Sequence, residues 1–170
     1  MNNERIEYTI LRNLIFNEDY TRKVLPFVNE IFFTKREEQI LFQEINTFVM
    51  KYKNLPSKES ILIELGNRKD INEEENRIVK ELINSLNPEE IDQQWLLDTT
   101  EKFCKDRAVH NAVLDGIKIL DGKDKKRTQE AIPSILADAL AVSFDNHIGH
   151  DYIEDADDRF KFYHTKEKKY

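Results

Sequence analysis

Chemistry-bearing residues crowd one stretch near the end of the sequence, HIGHDYIEDADDRFKFY, His147 to Tyr163, where two histidines stand among a cluster of carboxylates. His147, His150 and Asp151 read as H-x-x-H-D. Imidazole nitrogen and carboxylate oxygen are the donors a divalent cation takes, and a cation so held could activate water against a phosphoester. His110 is a candidate upstream ligand. The same residues also satisfy a helix start. Gly149 interrupts, Asp151 suits the N-cap, Glu154 follows three positions later, and Asp155, Asp157 and Asp158 lie near the positive helix end. Ile153, Ala156, Phe160 and Tyr163, at i, i+3, i+7 and i+10, then share one apolar face. A metal site needs ligands on rigid elements with supporting contacts, which a helix junction does not provide. The capped amphipathic helix is the stronger reading, with the four apolar residues facing a partner and no metal ligand assigned.

Other catalytic devices are missing from the sequence. The four glycines, Gly66, Gly116, Gly122 and Gly149, cannot form G-x-x-x-x-G-K-[ST], so nucleotide is not bound here by a P-loop. There is no G-x-S-x-G, C-x-x-C or H-E-x-x-H, and Cys104 alone can make neither an intrachain disulfide nor a cysteine-rich zinc site. No catalytic or cofactor-binding residue is assigned to these 170 residues.

The elements that carry these residues read as helices. Few glycines and prolines, abundant Leu, Ile, Glu and Lys, and 39% hydrophobic against 35% charged residues predict an all-α chain with a real core. A net charge of -7 and pI near 5.2 argue against a broad basic nucleic-acid surface, so any DNA contact should be local or indirect. No signal pattern opens the sequence and no apolar run reaches the ~18 residues of a membrane span, which suggests a cytoplasmic protein without membrane contact.

Apolar spacing predicts a first helix over 3–16, a short one stopped by Pro26, and a longer one capped by Thr34 and running to about Tyr52. A fourth opens at Pro56-Ser57 and closes at Gly66, and a fifth is capped by Asn72 with Glu75 as its box partner. From Glu89 to about Leu120 one helix of about thirty residues, ~45 Å, is predicted, with Trp95 packed in the core and His110 on its apolar side. Gly122 ends it. A polar turn with a basic tip, Lys123, Lys125, Lys126 and Arg127, then leads into a returning helix with Pro133 in its first turn. The result is a helical globule over 1–106, a projecting antiparallel hairpin over 107–146, and a linker helix and tail over 147–170. A two-helix arm cannot hide both of its apolar stripes. The arms are therefore expected to self-associate through Val109, Val113, Ile117, Leu120, Ile135, Leu136, Ala139 and Leu140, the alternative being that the arm folds down onto the globule.

That order of parts resembles the N-terminal region of DnaB-type replicative helicases. The stretches LIFNEDYTRKVLPFV, YKNLPSKESILIEL, WLLDTTEKFCKDRAVHNA and AIPSILADALAVSFDNHIGHDYIEDADDRFKFY resemble the T-even-like bacteriophage branch of that family. The resemblance implies a hexameric ring that unwinds DNA 5′ to 3′ at the replication fork, with ATP or GTP and Mg consumed in C-terminal RecA-like domains outside this chain. It further implies paired hairpins in an N-terminal collar, recruitment of primase and a helicase loader, and a linker helix that docks on the motor domain of the adjacent subunit through Ile153, Ala156, Phe160 and Tyr163. A phage-encoded protein of this kind would act in the host cytoplasm. A free-standing helical adaptor of a replication complex is the alternative, and an HD-type metal-dependent phosphohydrolase a distant third.

Overall fold

Seven α-helices and three short 3-10 turns, with no strand among the described residues, make the chain all-α. The structure, a computed structural model, describes residues 5–144. These fall into two compact units, 5–91 and 92–144.

In the first unit, α1 (Ile6–Phe16) and α2 (Glu18–Val24) are joined at Asn17, whose side chain accepts from the Tyr20 N–H and caps α2. The chain tightens into a 3-10 turn at Leu25–Phe27, where Pro26 removes an amide donor. The third helix, α3 (Arg36–Tyr52), packs against α1, α4 (Lys58–Gly66) and α5 (Glu73–Ser85). Ile10, Leu11 and Leu14 of α1, Ile40, Leu41 and Ile45 of α3, and Ile61, Leu65 and Ile83 from α4 and α5 are all but fully buried. Each such side chain contributes about 1.5–3 kcal/mol by leaving water.

Helix starts follow their local chemistry. Ser57 and Asn72 side chains each accept from the N–H three residues on, and their own backbone N–H groups donate back to the Ser60 hydroxyl and the Glu75 carboxylate, giving two complete capping boxes. Thr34, expected to cap α3, does not. The N-cap is Lys35, with no side-chain cap bond, while the Thr34 hydroxyl accepts from Arg5 at 3.3 Å. That guanidinium also donates to Glu38 at 2.5 Å and Glu7 at 2.8 Å, tying the entry of α1 to the first turn of α3. Both glutamates are buried, and desolvation raises the Glu38 pKa despite the opposing pull of Arg5. Arg68, just after α4, donates to Glu44 at 3.0 Å, Gln43 at 3.0 Å and Asp70 at 2.7 Å. Burial raises the Glu44 pKa, whereas the Arg68 hydrogen bond draws exposed Asp70 down to about 2.

The second unit is α6 (Gln93–Leu120) with α7 (Ile132–Leu140), packed side by side. One expectation changes here. The long helix begins at Gln93 and not Glu89, because Asp92 is the cap, its carboxylate accepting from the Trp95 N–H at 2.8 Å. It then runs unbroken to Leu120, the single long helix that the sequence predicts. The contacts group into the two units between Ile91 and Asp92, in the non-helical stretch before α6.

Candidate assembly interface

The turn between α6 and α7 is built from short-range bonds. Gly122 sits at φ 74, the left-handed region a glycine takes without strain. Its N–H donates to the Ile119 carbonyl at 3.1 Å, and the Lys123 N–H to Lys118 at 2.9 Å, the paired bonds of a Schellman end. Asp124 then accepts from the Lys126 and Arg127 backbone N–H groups at 2.9 and 3.0 Å and from the Arg127 side chain at 2.7 Å, which holds its carboxyl below the usual range. Arg127 also lies 3.7 Å from Asp115 of α6. The chain returns through a 3-10 turn at Gln129–Ala131, and Pro133 occupies the first turn of α7. Beyond α7, the Phe144 N–H donates to the Glu101 carboxylate at 2.8 Å and the Phe144 ring is buried.

The contact between the two helices uses small side chains. A Cβ placed on Gly116 would lie 3.7 Å from Cγ2 of Ile132, so α7 sits over Gly116. Ala112, Gly116 and Ile119, at i, i+4 and i+7, form the buried face of this half of α6, and Ala139 is the buried residue of α7. Four other large apolar residues are exposed. Val113 is 47% exposed, Ile117 48%, Leu120 64% and Leu140 65%.

Of the eight positions expected to meet another copy, those four are exposed, Val109, Ile135 and Leu136 are half-buried, and Ala139 is buried within the hairpin. Leu114, 45% exposed, belongs to the same uncovered surface and was missed because it stands off the i, i+4 line of Val109, Val113 and Ile117. Trp95, expected in the core, is 51% exposed, and His110 is exposed rather than on a buried side. In the N-terminal half of α6 the buried positions are Leu96, Thr100, Phe103 and Cys104. Burial pushes the Cys104 thiol up to about 12, the pKa of an inert packing residue.

The linker positions Ile153, Ala156, Phe160 and Tyr163, and the H-x-x-H-D stretch at His147, His150 and Asp151, lie outside the described residues. Among the described residues no group of three or more His, Cys, Asp or Glu side chains could hold a metal ion. No described helix is long and apolar enough to cross a membrane.

Fold and surface together define an all-α protein whose second unit is a helical hairpin with its larger apolar residues turned outward. No family model matches the chain. It is, however, 33% identical over 168 aligned residues to the DnaB-like replicative helicase of Enterobacteria phage T4, an alignment covering 94% of this chain and 35% of that protein. The chain is thus related to a DnaB-type replicative helicase, consistent with an N-terminal domain of one, and it spans about a third of the relative's length.

Proposed function

We propose that this chain is the assembly and recruitment region of a replicative DNA helicase. In this reading the α6–α7 hairpins of neighbouring subunits pair through Val113, Ile117, Leu120 and Leu140 to form a collar, on the way to a hexamer. Unwinding 5′ to 3′ and hydrolysis of ATP or GTP with Mg belong to a RecA-like motor region beyond these residues. The collar would receive primase and a helicase loader, DNA would pass through the assembled ring, and the stretch from Asp151 to Tyr163 would dock on an adjacent motor domain.

One observation carries the assembly part. The hairpin buries Ala112, Gly116, Ile119 and Ala139, while Val113, Ile117, Leu120 and Leu140 are exposed. Solvent-exposed apolar residues grouped on one element mark association surfaces.

The test is solution mass by light scattering over a concentration series, on the chain as given and on Val113→Asp with Ile117→Asp. Self-association is expected in the first. In the second it should weaken by about a hundredfold or more, since each carboxylate would be buried without a partner at the contact. Helicity should stay unchanged, because both positions are exposed within one chain. A strict monomer at high concentration, or an unchanged mass in the variant, overturns hairpin pairing and favours the helical adaptor.

A further inference from the structure

The tip of the hairpin carries charge opposite to the rest of the chain. Between Lys118 and Arg127 five Lys or Arg stand against two Asp, a net of +3 within a chain of net -7. The turn's own bonds sharpen the difference. Asp124 is consumed by two backbone N–H groups and by Arg127, and Arg127 is held between Asp124 and Asp115. Lys118, Lys123, Lys125 and Lys126 are exposed and have no ion-pair partner among the described residues. The Schellman end at Gly122 and the bonds to Asp124 fix the backbone, so these ammonium groups are mounted on an ordered turn. Beside them are two uncovered apolar side chains, Ile117 and Leu120.

We propose that this tip is a docking surface for an acidic segment of another protein, one that sets apolar side chains on Ile117 and Leu120 and carboxylates on the four lysines. A protein segment fits better than nucleic acid. No Phe, Tyr or Trp occurs from Lys105 to Ser143, so single-stranded bases have nothing on which to stack. Exposed leucine and isoleucine next to lysine suit a partner that is both apolar and acidic, and complementary charge at such a rim sets encounter and register. This surface goes beyond the assembly reading and shares Ile117 and Leu120 with it, so an acidic segment and a second hairpin are alternative occupants of those two side chains, while the four lysines belong to the docking surface alone.

The test uses a synthetic peptide of repeated Glu-Glu-Leu triplets, titrated into isotopically labelled chain with backbone amide shifts as the readout. A Lys-Lys-Leu peptide and oligothymidylate serve as controls, and solution mass is recorded in parallel. Saturable shifts confined to 117–128, weakened steeply by salt, are expected from the acidic peptide alone. The variant Lys123→Glu/Lys125→Glu/Lys126→Glu should lose about tenfold or more in affinity while keeping its helicity and its solution mass, because those side chains are exposed and make no ion pair among the described residues. Leu120→Ala should weaken the same binding without altering its salt dependence. Tighter binding of oligothymidylate at the tip would make this a nucleic-acid contact and overturn the proposal. So would a change in solution mass in the triple variant without peptide binding, which would make the tip a contact between copies. Absence of shifts from every ligand would overturn it as well.

Discussion

The close approach of α7 to α6 at Gly116 gives a prediction whose sign is set by one distance. Glycine inside a helix costs ~0.8–1.0 kcal/mol relative to alanine, through backbone entropy. A Cβ at Gly116 would meet Cγ2 of Ile132 at 3.7 Å, ordinary van der Waals contact, so the methyl fits without displacing α7. Gly116→Ala should therefore stabilise the hairpin by about 1 kcal/mol, raising the thermal midpoint of a chain this size by roughly 2–4 °C. Gly116→Phe has no such room. Its ring must push Ile132 aside, at a cost of about 1–3 kcal/mol. Urea and thermal unfolding followed by helical circular dichroism give both values, and hydrogen exchange over α6 and α7 shows whether the change is local to the hairpin. If Gly116→Ala destabilises, the helices approach more closely than 3.7 Å allows and the packing described here is wrong. If Gly116→Phe is neutral, α7 does not cover this position at all.

Replacing Asn72 by Ala removes the side-chain acceptor for the Glu75 N–H and half of a capping box, so α5 should lose about 1 kcal/mol in urea unfolding. An unchanged midpoint would mean that water satisfies that donor equally well. Glu44 has a folded pKa raised by burial above 4.5, so the native state holds its proton more tightly than the unfolded chain does. Its contribution is therefore fully present below 4.5 and is lost as pH rises through the folded value, and Glu44→Gln should flatten that part of the urea midpoint against pH. An identical pH slope in wild type and variant would contradict the assignment. Cys104, buried and raised to about 12, should react with a thiol reagent at mildly alkaline pH only at the rate at which its unit opens, and at once in denaturant. Fast labelling of the folded chain would refute its burial.

Much of this architecture was readable from short-range chemistry. Asn72 with Glu75, Pro56-Ser57, Gly122 and Pro133 each dictate a helix end through bonds to their immediate neighbours, and the ends fall there. The start of α6 was misplaced because Glu89, Glu90 and Ile91 after Pro88 look like a first helical turn. The Asp92 carboxylate instead takes the cap three residues later. Thr34 failed as a cap for a longer-range reason, since Arg5, far off in sequence, meets its hydroxyl. Trp95 and His110 were misread on the assumption that α6 buries a single stripe. Its buried residues are Leu96, Thr100, Phe103 and Cys104 in one half and Ala112, Gly116 and Ile119 in the other. Sixteen residues separate the start of each set, which at 3.6 residues per turn rotates the buried face by roughly 160°. No one-stripe reading can place both halves.

That rotation also explains why the hairpin leaves an apolar surface uncovered. Its second helix has 9 residues against 28 in α6, so at ~1.5 Å per residue α7 spans ~14 Å beside ~42 Å. So short a helix can cover one face over part of the length, and the face it takes is the one lined by Ala112 and Gly116. A hairpin meant to stand alone gains most by turning valine and isoleucine inward and alanine outward, because buried area scales with side-chain size. Here, Ile119 and Ile132 apart, much of the arrangement is the opposite. Small residues let the backbones approach, while Val113, Ile117 and Leu120 remain accessible on the other side. Enlarging Gly116 beyond a methyl would strain the hairpin, and shrinking the outer residues would cost the isolated chain almost nothing. Those outer side chains would gain stabilisation from a further surface that covers them, which is what the proposed hairpin pairing would supply.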